Sequence, residues 1–139
     1  MKFEELILYT DGGARGNPGP AAIGVVIKSL QGKVVMAFGR SIGVATNNQA
    51  EYQALIAGLE EVKKMGAKTA RCFLDSELLV KQMRREYRVK DKELQPLFIK
   101  VWNLAAAFKN VTFNHIAREQ NKEADAEVNK ALELRIRGY

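Results

Sequence analysis

Four acidic residues stand out because each lies where a charged side chain is costly. Asp11 and Asp75 each end an apolar, strand-like run, whereas Glu51 lies on the apolar stripe of a helical pattern and Asp125 at the edge of another. Buried carboxylates are rare unless they are paired or bind a metal. Oxygen ligands without clustered histidine or thiolate indicate Mg²⁺, with Mn²⁺ as a substitute. Two such ions, roughly 3.5–4 Å apart, suit in-line displacement at a phosphate.

The hydrophobic periodicity predicts the elements that would position these residues. The first strand is apolar on both faces, which is typical of a central strand. The first helix is signalled by a capping box of Thr46 and Gln49, by two lysines in its last turn and by Gly66 as its stop. Strands are predicted at residues 5–11, 22–29, 33–40, 70–74 and 111–116, and further helices at 76–86, 91–108 and from about 122, with a polar loop at 118–121.

The order of these elements predicts an α/β domain with a five-stranded mixed sheet. The first three strands form an antiparallel meander, which Gly39 and Gly43 end before the first helix. Right-handed crossovers then place the fourth strand beside the first and the fifth beyond it, in the order 3-2-1-4-5. Asp11 and Asp75 thus end adjacent parallel strands, where ligands bind in sheets of this kind. We expect one domain over residues 1–139, because no linker or repeat interrupts the chain.

The segment from Gly12 to Pro20 contains four glycines, two prolines and an asparagine. A tight hairpin needs only about two loop residues, so a nine-residue loop of this composition indicates close approach of the backbone to a ligand. A dinucleotide-binding fingerprint is excluded, because the glycine spacing differs and a strand follows instead of a helix.

Charge and composition indicate which class of ligand the chain binds and in which setting it works. The 139 residues carry a formal net charge of +6, which favours polyanions, nucleic acid first. The longest apolar runs are too short to span a bilayer, and the polar start of the chain predicts no leader peptide. The single cysteine, Cys72, fits a reducing, cytoplasmic setting.

Four segments, YTDGGARGNPGPAAIG, TNNQAEYQALIAGL, LDSELLVKQ and REQNKEAD, match the motifs of one family in order and spacing. Over essentially its whole length the chain resembles a type 1 ribonuclease H. The resemblance implies a monomeric, divalent-metal-dependent endonuclease that cleaves the RNA strand of RNA–DNA hybrids and leaves 5′-phosphate and 3′-hydroxyl ends. It implies that the metal-binding carboxylates are Asp11, Glu51, Asp75 and Asp125.

The resemblance also implies a substrate surface. Asn17, Asn47 and Asn48 match positions that contact the hybrid in its minor groove, and amides can both donate to and accept from a 2′-hydroxyl. The other matched positions are Gly12 and Gly13, which bring backbone close to the strand, Thr46 near a DNA phosphate, and Glu77, where many relatives have glutamine.

Several features depart from the family pattern. The connection between Ser76 and Asp91 is too short for an extra basic helix, and no hybrid-binding domain is expected before the first strand. The basic segment from Arg84 to Lys90 is either a solvated face or a phosphate-contacting surface.

The resemblance further implies an auxiliary catalytic residue near the metals, for which the candidates are Arg118 and His115. His115 shares a strand face with Val111 and Phe113, which is also compatible with a core histidine. Arg118 is favoured because it lies nearer to Asp125 and can bind phosphate, although a guanidinium does not serve as an ordinary general acid or base. Two other functions stay open: a same-fold nuclease for double-stranded RNA or branched DNA, and a non-catalytic nucleic-acid-binding module.

Overall fold

A computed structural model describes residues 3–136 and contains five strands and four helices in that range. In chain order they are β1 (Glu5–Ala14), β2 (Gly19–Lys28), β3 (Val34–Ala45), α1 (Asn47–Lys64), β4 (Thr69–Leu74), α2 (Glu77–Met83), α3 (Gln95–Ala106), β5 (Asn110–His115) and α4 (Lys122–Ile136). A short 3-10 helix, Arg118–Gln120, precedes α4. Within this described range no helix combines the length and apolar character needed to cross a membrane.

The five strands form one mixed sheet in the order β3-β2-β1-β4-β5, so the predicted topology is confirmed. β1 pairs antiparallel with β2 and parallel with β4. In the parallel pair Thr10 lies opposite Leu74. Asp11 and Asp75 therefore follow paired positions at the same edge of the sheet.

Helices cover both faces of β2. The face that carries Ile23 belongs to the main core with α1, where Leu55 and Leu59 are fully buried. The opposite face carries Ala22, which packs against Val128 in α4. Gly24 lets α4 approach closely, because a Cβ at this position would overlap the Ala124 carbonyl. The sheet thus holds α1 and α4 on opposite sides of β2.

The capping box at the start of α1 is confirmed. Thr46 Oγ1 accepts a hydrogen bond from Gln49 N at 3.1 Å, and Gln49 Oε1 accepts one from Thr46 N at 2.8 Å. Two orphan amides at the helix terminus are satisfied in this way. The cap fixes the first turn of α1, which leads directly to Glu51.

The strand bounds near the glycines were predicted wrongly. Gly12 and Gly13 belong to β1, opposite Ile23 and Ala22, so residues 15–18 connect β1 to β2 instead of a nine-residue loop. β3 continues past Gly39 to Ala45, although Gly43 has a φ of +83°. Pairing with β2 along this length outweighs the weak local preference of glycine for breaks.

Two helices are shorter than predicted. α2 ends at Met83 instead of Glu86, and Arg85 adopts a φ of +65°, in the left-handed region that follows many helix ends. α3 begins at Gln95 instead of Asp91 and has proline in its first turn, where the missing N–H costs nothing. The Arg84–Lys90 segment therefore lies outside both helices.

Candidate metal centre

Three of the four predicted carboxylates meet at the edge of the sheet where β1 and β4 run in parallel. Asp11 is in β1, Asp75 directly follows β4, and Glu51 comes from the start of α1. One oxygen from each of these three side chains lies within 4.8 Å of the others. The strand register brings the two aspartates together, and the α1 crossover adds the glutamate.

Glu51 is held in place by the backbone of β1. Gly12 N donates a hydrogen bond to Glu51 Oε1 at 2.9 Å. The helix can come this close only because Gly12 has no Cβ, since a Cβ there would overlap the backbone of Ala50. The glycine therefore serves helix packing as well as the position of Glu51.

Asp125 forms the remaining side of the cluster. It lies in α4, and Asn129 Nδ2 donates to its Oδ2 at 3.3 Å across one helical turn. Asp125 contacts Asp11 closely enough to raise the pKa of that carboxyl through its charge and a hydrogen bond to the protonated form. All four carboxylates line one cavity of about 450 Å³ together with Gly12, Gly13, Asn47 and Arg118.

Burial and mutual repulsion dominate the electrostatics. Asp11 is 7% exposed and Glu51 is 8% exposed. Burial, followed by the charges of Asp75 and Asp125, raises the pKa of Asp11 to about 8. Burial and the charges of Asp11 and Asp75 also raise the pKa of Glu51 well above its usual value, while Gly12 N–H and Arg118 oppose the shift. Without a cation, the cluster therefore resists full ionisation.

The donor set fits a hard divalent cation. Asp11, Glu51 and Asp75 offer only carboxylate oxygens, and no thiol or imidazole is among the residues that line their cavity. Sites of this composition suit Mg²⁺, Ca²⁺ or Mn²⁺ and do not suit zinc. The arrangement can therefore bind a divalent cation at a point open to a phosphate ligand.

The asparagines beside the cluster are tied together by long-range hydrogen bonds. Asn47 N donates to Asn17 Oδ1 at 2.9 Å, and Ala14 N donates to Asn47 Oδ1 at 2.9 Å. Each side-chain oxygen therefore accepts one hydrogen bond inside the protein, and both side chains are exposed. Their Nδ2 donors and the second lone pair of each oxygen are left for a ligand.

The other predicted substrate positions lie around this surface. Asn48 is exposed at the start of α1, and Thr46 is the helix cap. Glu77 is exposed in the first turn of α2, where Lys81 Nζ lies 3.2 Å from its carboxylate. Neither Asn48 nor Glu77 lines the cavity of the four carboxylates.

Arg118 and His115 differ clearly in position. Arg118 lines the cavity, and its charge acts on Glu51. His115 is the last residue of β5, is exposed, and does not line this cavity. The interpretation of His115 as a core histidine is wrong, because β5 is an edge strand and its end is open to solvent.

One residue of the site was missed by the sequence analysis. Asn121 was assigned to a polar loop, yet it is 1% exposed and its Nδ2 donates to Asp75 Oδ2 at 3.1 Å. The one available signal was its position directly before a helix and four residues before Asp125. Helix caps share that position, so the pattern alone does not indicate burial.

Comparisons with known proteins point to one family. Residues 9–131 match a family described as "Reverse transcriptase-like". A ribonuclease HI of Halobacterium salinarum is 42% identical over 125 residues, which cover 90% of this chain and 63% of that protein. The crystal structure of a ribonuclease H1 from the same organism has a TM-score of 0.91 at 40% identity and covers 93% of this chain and 98% of that chain.

Two further relatives differ in length. A ribonuclease H1 isolated from compost, solved in complex with an RNA/DNA hybrid, has a TM-score of 0.90 at 43% identity, covering 94% of this chain and 99% of that chain. A bifunctional protein of Mycobacterium tuberculosis is 39% identical over 130 residues, which are 93% of this chain. The chain spans only 36% of that mycobacterial protein.

Proposed function

Because the chain belongs to the ribonuclease H family, we propose that it is an endonuclease that cleaves the RNA strand of RNA–DNA hybrids and leaves 5′-phosphate and 3′-hydroxyl ends. The observation that carries this proposal is the meeting of Asp11, Glu51 and Asp75 within 4.8 Å, beside the amide donors of Asn17 and Asn47. The proposal treats residues 1–139 as one catalytic domain that acts as a monomer. Its cytoplasmic location remains a prediction, supported by the free, buried thiol of Cys72.

The proposed metal ligands are Asp11, Glu51, Asp75 and Asp125, and the proposed cofactor is a pair of Mg²⁺ ions, for which Mn²⁺ can substitute. Divalent cations, when bound, supply the positive charge that makes water a better nucleophile and stabilises charge on a reacting phosphate. The chain contributes the geometry. The end of β1 fixes Asp11, and the Gly12 N–H orients Glu51.

Arg118 is the proposed auxiliary residue. Its side chain lines the carboxylate cavity that would hold the metal ions and the reacting phosphate. Guanidinium groups bind phosphate oxygens through paired N–H donors and keep their charge. We assign Arg118 to holding the phosphate, not to proton transfer.

Recognition of RNA is assigned to the amide surface. The Oδ1 atoms of Asn17 and Asn47 hold the side chains in place, and their Nδ2 donors suit the 2′-oxygen of a ribose and acceptor atoms of the minor groove. Gly12 and Gly13 line the carboxylate cavity, and their backbone is assigned to the contact with the substrate strand. Asn48, Thr46 and Glu77 complete the proposed contact surface.

A substrate panel tests the proposal. We expect cleavage of an RNA–DNA hybrid that requires Mg²⁺ or Mn²⁺, and much slower cleavage of duplex RNA, duplex DNA and branched DNA of the same sequence. Preferred cleavage of duplex RNA or branched DNA would replace the substrate assignment. Binding without cleavage of any substrate at any metal concentration would leave a nucleic-acid-binding module.

The Asn17 donor gives a sharp prediction. In Asn17→Asp a carboxylate oxygen can still accept from Asn47 N, but the donor becomes a negative charge facing an anionic substrate. We expect kcat/KM on the hybrid to fall by about tenfold or more, since a lost hydrogen bond of about 1 kcal/mol is joined by repulsion. The free energy of unfolding should change by less than about 0.5 kcal/mol.

Two further variants serve as comparisons for Asn17→Asp. Asn17→Ala removes acceptor and donor together, so it should lose activity and also some stability. Asn103→Asp makes the same charge change at an exposed position of α3 and should leave kcat/KM unchanged. Full activity of Asn17→Asp on the hybrid would remove Asn17 from the recognition surface.

The basic segment gives a second prediction. Arg85, Arg88 and Lys90 are exposed, and the Arg85 guanidinium lies 5.3 Å from the centre of the Trp102 ring. If these cations contact phosphates, changing all three to glutamine should reduce the slope of log affinity against log salt by about 2–3. Fluorescence anisotropy on a labelled hybrid from low to high salt measures the slope.

A charge-matched control separates local contacts from net charge. Lys33, Lys63 and Lys64 are exposed, and their change to glutamine removes the same three charges. Lys33 lies in the β2–β3 hairpin and the other two lie at the end of α1, far along that helix from Glu51. Equal slopes for the two triple variants would assign Arg85, Arg88 and Lys90 to a solvated face.

A further inference from the structure

We infer that Asn121 is a positioning residue of the carboxylate centre, which fixes Asp75 against the end of β1 so that the centre binds its cation tightly. The inference rests on the proposed function, because it takes Asp75 to be a metal ligand. Asn121 itself would not touch metal or substrate. Its role would be carried out through Asp75.

The hydrogen bonds of Asn121 support this role. Its Nδ2 donates to the carbonyl oxygen of Thr10 at 2.9 Å and to Asp75 Oδ2 at 3.1 Å. Thr10 directly precedes Asp11 in β1. Both partners are acceptors, so only the donor end of the amide can face them. One buried group therefore connects the backbone beside one acidic residue to the side chain of another.

The backbone of Asn121 adds a third connection. Asp125 N donates to the Asn121 carbonyl oxygen at 3.1 Å in the first turn of α4. The position of Asp125 relative to β1 thus also depends on where Asn121 lies. Asn121 relates three of the four carboxylates, which come from separate parts of the chain.

The free-energy cost of burying the Asn121 amide also supports a positioning role. Asn121 is 1% exposed, and its Oδ1 has no hydrogen-bond partner among the residues that the structure describes. A buried acceptor without a partner costs roughly 1–3 kcal/mol. An apolar residue would avoid that cost, so the amide is best explained by what its donor does.

Asp75 is expected to move when the Asn121 Nδ2 donor is lost. It is half-buried, and carboxylate oxygens of Asp11 and Glu51 lie within 4.8 Å of one of its own oxygens. Among the side chains of residues 3–134, Asn121 is the one that donates a hydrogen bond to Asp75. Without this bond the Asp75 side chain can rotate toward solvent. Losing such outer partners typically lowers metal affinity by about 10–100-fold.

Metal binding without nucleic acid tests the inference. The melting temperature of the parent and of Asn121→Ala would be measured against Mg²⁺ concentration, and Mn²⁺ binding would be measured by calorimetry. We expect Asn121→Ala to need at least about tenfold more Mg²⁺ for half of its thermal stabilisation. Its cleavage rate should recover at high Mg²⁺. Asn121→Ser leaves a smaller void than Asn121→Ala, and its hydroxyl is too short to reach both acceptors. The serine variant should therefore show the same shift in Mg²⁺ midpoint as Asn121→Ala.

The chain offers a matched control in Asn114. This half-buried asparagine of β5 donates from Nδ2 to the carbonyl oxygen of Cys72 at 3.2 Å and does not line the carboxylate cavity. Asn114→Ala should lower the melting temperature in chelator but leave the Mg²⁺ midpoint within about twofold of the parent. The comparison separates loss of a buried amide from loss of metal affinity.

A second comparison locates the effect. In an Asp75→Asn background, Asn121→Ala should cause no further change in the Mg²⁺ midpoint, because the group through which it acts is already altered. An Mg²⁺ midpoint for Asn121→Ala and Asn121→Ser equal to that of the parent would overturn the inference and leave the proposed function intact. A parent that is neither stabilised by Mg²⁺ nor active with it would instead overturn the proposed function.

Discussion

Asp11→Asn is expected to abolish cleavage while it raises the free energy of unfolding in chelator at neutral to alkaline pH. In the folded parent, burial and the neighbouring Asp75 and Asp125 raise the pKa of Asp11 to about 8 from its ordinary value of 3.8. Asparagine keeps the shape and removes the charge. The variant should be more stable than the parent by several kcal/mol at pH 8, because no charge has to be buried.

The stability difference between Asp11→Asn and the parent should depend on pH. A raised pKa means that the folded state holds a proton that the unfolded state has released. The parent therefore loses stability as pH rises from the unfolded value near 4 to the folded value near 8, and the loss is absent below pH 4. The difference between Asp11→Asn and the parent should grow over that interval. Urea denaturation in chelator at pH 4, 6 and 8 measures it.

Mg²⁺ acts in the opposite direction, because it should stabilise the parent more than Asp11→Asn. At a hundredfold excess over its dissociation constant, Mg²⁺ should stabilise the parent by about 2.7 kcal/mol and the variant far less. Asp91→Asn makes the same change at an exposed position outside the cavity and should alter neither quantity. Lower stability of Asp11→Asn in chelator, with an unchanged Mg²⁺ response, would make Asp11 a structural residue of the strand end.

Gly12→Ala is expected to cost activity and stability together, which distinguishes it from Asp11→Asn. An added Cβ would overlap the backbone of Ala50, which cannot move without displacing α1. Overpacking of this kind costs typically 1–3 kcal/mol and more where backbone is involved. The shift would also draw Glu51 away from Gly12 N and from the other carboxylates. We expect cleavage to fall at least about a hundredfold and the melting temperature to fall by roughly 5–10 °C.

The neighbouring glycine supplies the control. A Cβ at Gly13 would meet only Val128 Cγ1 at 3.7 Å, which is an ordinary van der Waals contact. Gly13→Ala should therefore keep its melting temperature within a few degrees of the parent. If thermal melts and Mg²⁺ titrations of the two variants coincide, α1 can retreat from β1, and the close packing at Gly12 does not hold Glu51.

The sequence determined the architecture because periodicity and handedness are local properties. Alternating and helical apolar patterns identified the five strands and four α-helices that the structure describes between residues 3 and 136, and right-handed crossovers then allowed one order, β3-β2-β1-β4-β5. That order alone placed Asp11 beside Asp75. Glu51 followed from a carboxylate on an apolar helical stripe, next to a capping box that the structure confirms.

Local patterns failed where pairing between distant segments outweighed them. Gly39 and Gly43 have the composition of a break, yet hydrogen bonding to β2 carries β3 through both. His115 alternates with apolar residues as a core position would, but β5 is an edge strand with an open end. Residue type sets a local preference for secondary structure, whereas pairing with a neighbouring strand determines which structure forms.

Burial and the use of each polar atom were decided by the tertiary structure alone. Asn121 reads as loop, but docking of α4 buries it against Thr10, 111 positions away. Asn17 and Asn47 have the same amide chemistry as any asparagine, and only the contact of the start of α1 with the end of β1 and the β1–β2 connection shows that each oxygen accepts a hydrogen bond within the protein. Hydrogen bonds across such separations depend on how whole elements pack, and no local spacing in the chain records that packing.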